Sequence, residues 1–131
     1  MKVYHHEQSA EEKAASKRGK RSRRKGHDFE RDIVRRLNEG GLGARRGLQA
    51  QTGKGCADVQ LRAAGEDFHC ECKVGARPNI HAAIYQAIGD APSVWVPVAI
   101  TKKDRDETLV TMLFDDWLNL LSVADEGEDE P

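Results

Sequence analysis

The stretch His69-Cys70-Glu71-Cys72-Lys73-Val74, preceded by Gly55-Cys56-Ala57-Asp58-Val59-Gln60-Leu61, decides how this chain folds. Both segments read as β-strands, and side chains alternate faces along a strand. Glu71 and Lys73 therefore share one face, while Phe68, Cys70, Cys72 and Val74 share the other. The same rule sets Asp58 opposite Ala57 and Val59. A turn near Ala64-Gly65-Glu66 makes the two strands a hairpin and brings Asp58, Glu71 and Lys73 together. Two carboxylates and an ammonium on the polar face of an otherwise apolar hairpin suit a divalent metal and an activated water.

Outward from the hairpin, a first helix is expected from Gly26 to Glu39, because Phe29, Ile33, Val34 and Leu37 recur at helical spacing before Gly40-Gly41. Gly43 to Leu48 reads as a short first strand, followed by the Gly-rich loop Gln51-Thr52-Gly53-Lys54-Gly55. Beyond the hairpin, a second helix over about Ile80 to Ile88 presents Ile80, Ala83, Ile84, Ala87 and Ile88 to the core, with Pro78 just before it. Trp95 to Thr101 and Thr108 to Phe114 read as strands, and Asp115 to Val123 as an amphipathic helix. The order α-β-β-β-α-β-β-α predicts a single α/β domain with a central mixed sheet of about five strands flanked by helices.

At 131 residues the chain can build one core but not two ordinary domains. Its formal net charge of −1 conceals a strong asymmetry: Lys17 to Lys25 is nearly all basic and Asp125 to Glu130 nearly all acidic. Residues 1–25 read as a flexible basic arm, 26–123 as the folded domain and 124–131 as a disordered acidic tail. Ser9 and Glu12 form a capping-box pattern that supports a marginal helix at most, because nothing around it is apolar enough to pack. No apolar run has the length of a membrane span or the character of a secretory signal, so a cytoplasmic protein is expected. Three cysteines do not suggest a disulfide framework. Cys70 and Cys72 lack the second pair that a zinc site needs, which leaves them as small buried apolar side chains.

Asp58 and Glu71 on adjacent strands would repel each other unless a cation neutralised them. Mg²⁺ prefers oxygen ligands, takes few carboxylates and keeps several waters, so the two acids plus a backbone carbonyl, that of Cys72, would leave open positions; Mn²⁺ can substitute. Lys73 would orient or acidify the attacking water, or stabilise charge on a phosphate. This chemistry is typical of nucleases. The competing reading is an exposed, salt-bridged strand face. The Gly-rich loop before Asp58 and the apolar residues around Glu71 weigh against it.

Lys25-Gly26-His27-Asp28-Phe29-Glu30-Arg31-Asp32-Ile33-Val34-Arg35-Arg36-Leu37, then Gly41-x-x-Ala44-Arg45-Arg46, a Gly-rich loop, Ala57-Asp58-Val59 and Glu71-Cys72-Lys73, together resemble archaeal-type Holliday junction resolvases of the PD-(D/E)xK nuclease superfamily. The resemblance spans roughly residues 25 to 101. It implies a Mg²⁺-dependent endonuclease that resolves four-way DNA junctions as a homodimer, in the cytoplasm of a prokaryote or a virus-infected cell. It also implies that Glu30 acts at the metal, directly or through water, and that Gln86 stands beside the Glu71-x-Lys73 strand. Ala57 replaces the usual proline, and Thr52 is the nearest match to a hydroxyl residue close to the cut phosphate.

For DNA, the basic run Lys17, Arg18, Lys20, Arg21, Arg23, Arg24 and Lys25 would supply sequence-independent affinity, extended by Arg31, Arg35, Arg36, Arg45, Arg46 and Lys54. Few aromatics are present for stacking single strands, so branched or plain duplex is the expected partner. Trp117 and Leu118 are candidate dimer contacts, with core packing as their ordinary role. Two alternatives stand: another endonuclease of the superfamily (nicking, repair or restriction-type), or a non-catalytic DNA-binding module on the same fold.

Overall fold

The computed structural model describes residues 8–47 and 57–128. The elements follow the expected order: α1 (Ala10–Glu39), β1 (Gly43–Arg46), β2 (Val59–Ala63), β3 (Glu66–Gly75), α2 (Ile80–Asp90), β4 (Val96–Lys103), β5 (Thr108–Met112) and α3 (Phe114–Glu128). The five strands form one sheet in the order β1-β2-β3-β4-β5. Only the β3–β4 pair is parallel, because α2 carries the chain from the end of β3 back to the start of β4. No helix among the described residues is long and apolar enough to cross a membrane.

Strand alternation divides β3 between two cores. Phe68, Cys70 and Cys72 pack with Val59, Val98 and Ile100 and with Phe29 and Ile33 of α1. On the opposite face, Ala99 of β4 packs with Ala83, Ile84 and Ala87 of α2. As the middle strand of a sheet covered on both sides, β3 is buried on both faces, and every residue from Phe68 to Cys72 is inaccessible. The Glu71 face is therefore not the open polar surface that the hairpin alone suggested. Ile88, expected in the core, is 37% exposed, turned to the rim of the α2 face that buries Ala83, Ile84 and Ala87.

Two chain-end expectations are corrected. Residues 10–25, read as a flexible arm, are helical and continuous with the helix expected from Gly26; Ser9 caps it by accepting from the Glu12 backbone N–H at 3.1 Å. Likewise α3 runs on to Glu128 and takes in the first half of the acidic tail. In both cases helix propagation from a formed segment costs little, and Ala, Glu, Lys and Arg are good helix formers.

The β2–β3 turn consists of Ala64 and Gly65, with φ of 53° and 75°, the primed geometry that matches strand twist. Gly65 adopts it freely, but Ala64 pays a steric penalty in the left-handed region. Asn tolerates that region and Asn-Gly is the favoured pair, so Ala64→Asn should raise stability by about 0.5–1 kcal/mol, read as a higher urea midpoint.

Candidate active site

The β2–β3 register pairs Val59 with Cys70, so one step further along the ladder Asp58 lies beside Glu71. Asp58 is held there by its own carboxylate, whose Oδ2 accepts from the Cys72 backbone N–H at 2.9 Å. Glu71 is only 2% exposed. Its Oε1 lies 3.2 Å from Nε2 of His69, which is itself 1% exposed. His69 and Glu71 are two apart on β3 and so share a face, and an Nε2-protonated ring donates to the carboxylate.

Burial pushes the Glu71 carboxyl above its ordinary range; the hydrogen bond from His69 opposes this, and the charge of Asp58 adds to it. The neighbouring thiols respond to the same field. Burial, followed by the charges of Glu71 and Asp58, pushes Cys70 up to about 12. Cys72 is raised as well, first by burial and then by Asp58, Cys70, Glu30 and Glu71. Both thiols are free and buried.

The raised carboxyl has a consequence for stability. A folded-state pKa above the unfolded value means that the neutral Glu71 favours folding below the ordinary carboxylate range, and this contribution is lost as pH rises through the raised value. In chelator, thermal stability should therefore decline towards neutral pH, and Glu71→Gln should flatten that part of the profile.

Lys73 continues the Glu71 face to the end of β3, where it is exposed. Together with Gln86 of α2 it lines a cleft of about 280 Å³ that also includes Arg77, Asn79 and Ala82. Gln86 and Lys73 thus line the same cleft.

Glu30 is placed differently. It is 9% exposed, and its Oε2 accepts from Arg46 at Nη2 (2.8 Å) and Nε (3.2 Å). His27 Nδ1 lies 2.7 Å from the same Arg46 Nη2. The charge of Glu30 reaches the Cys72 thiol, yet among the described residues no three His, Cys, Asp or Glu side chains form a group able to hold a metal. Arg46, expected to face DNA, is instead the ion-pair partner of Glu30.

Among the other expected DNA contacts, Arg31 pairs with Asp28 and Arg35 with Asp32 and Glu39, all on the exposed face of α1. Arg36 reaches Thr108 Oγ1 at 3.4 Å, and Arg45 donates to Gln60 Oε1 at 2.8 Å. Lys17, Arg18, Lys20, Arg21, Arg23 and Arg24 are exposed along α1, and Lys25 pairs with Asp104. Thr52 and Lys54 lie outside the described residues. Sequence reasoning passed over His69, although its spacing from Glu71 signals a shared face; the link between Arg46 and Glu30 has no local signal.

Asp58 and Glu71 are the oxygen donors that could hold a divalent ion here: the charge of Asp58 and a hydrogen bond with it add to the effect of burial on the Glu71 carboxyl.

No family model and no curated protein matches this chain. Among solved structures, the fold is similar to that of Hjc from Archaeoglobus fulgidus, a Holliday junction resolvase from an archaeal hyperthermophile. The TM-score is 0.53 at 18% identity, over 65% of this chain and 73% of that one. The five-stranded mixed sheet flanked by helices is thus an architecture this chain shares with that structure.

Proposed function

We propose that this chain is a Mg²⁺-dependent DNA endonuclease that cuts four-way junctions by phosphodiester hydrolysis. The observation that carries this reading is the pairing of Asp58 and Glu71 at the end of the β2–β3 ladder, with Lys73 continuing the same face into an open cleft. The resolvase-like fold supports it.

In this reading Asp58 and Glu71 hold the metal, with the Cys72 carbonyl as a third oxygen, and Mn²⁺ can replace Mg²⁺. When bound, the ion would supply a more acidic water and neutralise charge at the phosphate. Lys73 places an ammonium where charge builds on the phosphate oxygens. Gln86, across the cleft, orients the strand or the water by hydrogen bonding. Glu30 supports the site from α1 and is kept in place by Arg46.

A junction presents two symmetric strands, which a two-fold pair of sites matches. The reading therefore includes a homodimer. Val110 of β5 and Phe114, Trp117, Leu118 and Leu121 of α3 are 44–65% exposed, an unusual concentration of apolar surface, and a second copy would cover it. Trp117→Glu should then shift the mass in solution from dimer to monomer.

With Mg²⁺ and labelled DNA, the wild type should place paired symmetric nicks in a four-way junction and leave linear duplex and single strand intact; Lys73→Ala should slow cutting by roughly 10²- to 10³-fold, the size typical of losing one charge-stabilising group. Equal cutting of linear duplex overturns junction selectivity. No cutting of any DNA overturns the nuclease reading.

A further inference from the structure

Residues 10–25 of α1 bury nothing: the buried residues of this helix are Phe29, Glu30 and Ile33, all near the sheet. The preceding segment carries eight basic side chains (Lys13, Lys17, Arg18, Lys20, Arg21, Arg23, Arg24 and Lys25) against two acidic ones, Glu11 and Glu12. Among the described residues, Lys25 is the only one of these cations held in an ion pair. A helix with no apolar stripe gains nothing from packing, and like charges one turn apart weaken it. Such an element is completed by a polyanion, which neutralises the repulsion and releases counterions.

The helix also fixes where that polyanion lies. At 1.5 Å per residue, Ala10 stands about 30 Å from Glu30, a length of roughly nine base pairs at about 3.4 Å each. At 100° per residue, Lys13, Lys17, Lys20 and Arg24 fall on the side away from the core, with Arg18, Arg21 and Lys25 on one flank and Arg23 on the other. Charge on both flanks suits a groove with phosphates on both walls, and the major groove of B-form DNA admits a helix. A membrane surface does not suit it, because the segment has no apolar face to insert.

We propose that residues 10–25 form a helical fin that lies in the major groove of a duplex arm and anchors it, without reading sequence, at a fixed distance from Asp58 and Glu71. This rests on the reading that the chain acts on DNA, but its test needs no cleavage. Binding to a duplex of about thirty base pairs would be followed in chelator by fluorescence anisotropy across a salt series. Replacing Lys17, Arg18, Lys20, Arg21, Arg23 and Arg24 by alanine should reduce the salt slope by up to about five and weaken low-salt binding at least 100-fold. Gly19→Pro keeps every charge but breaks the helix, and should weaken binding about tenfold and shorten the hydroxyl-radical footprint. An unchanged slope in the alanine variant overturns the anchor. Wild-type affinity and footprint in Gly19→Pro overturn the helical part, leaving an unstructured polycation. An RNA duplex bound as tightly as DNA overturns the groove assignment, since the A-form major groove is too narrow for a helix. Both variants should keep the wild-type melting temperature, because the segment contributes nothing to the core. A protein that shows the expected slopes but cuts nothing leaves this proposal standing and removes the nuclease reading; cutting with unchanged slopes does the reverse.

Discussion

Glu71→Gln should give a protein that melts higher in chelator and cuts DNA at least about 10³-fold more slowly, the loss expected when several kcal/mol of transition-state stabilisation disappear. The two effects share one cause. Glu71 is buried with its carboxyl raised, so the folded chain bears a cost for ionising it at neutral pH. Glutamine removes that charge, keeps the shape and still presents an oxygen to His69 Nε2. It is, however, a poor Mg²⁺ ligand. Thermal melts with and without Mg²⁺ test both halves: the wild type should gain stability from the ion at neutral pH, and the variant should start higher and gain nothing. A variant that cuts at the wild-type rate would remove Glu71 from the mechanism, and one that melts lower would mean that the ionised carboxylate already stabilises the fold.

Phe29→Ala should cost about 3–5 kcal/mol, a large share of the roughly 5–15 kcal/mol that holds a typical domain together. Phe29 is 6% exposed and joins α1 to the sheet beside Ile33, Val59, Cys70 and Cys72. Its loss leaves a cavity next to Glu30, the following residue of α1, so the Glu30–Arg46 pair should loosen with it. Phe114→Ala, at a position 65% exposed, should change the stability of the monomer by less than about 0.5 kcal/mol. Urea midpoints of the two variants separate these cases, and similar losses at both positions would mean that α3 is packed rather than open.

Much of the architecture was legible in local pattern. Period-two alternation in β2 and β3 and helical spacing through Phe29, Ile33 and Leu37 placed the central elements within a few residues. The ends of the helices were less legible. Polarity argued against structure for residues 10–25 and beyond Val123, while helix propagation from a formed segment carried both further.

The site divides in the same way. Alternation and the hairpin turn are local rules, so the sequence by itself determined that Asp58, Glu71 and Lys73 would share a face, and it put His69 there too. Burial is not local: the same residues form an exposed ribbon in an edge hairpin and an enclosed strand once β4 pairs alongside and α2 covers the face. Only the tertiary structure decided that Glu71 would be shut away from water with its carboxyl raised, that Gln86 and Lys73 would line one cleft, and that Arg46 would close on Glu30. Each of these depends on groups brought together from separate elements, and the free energy of a charge is set by everything packed around it.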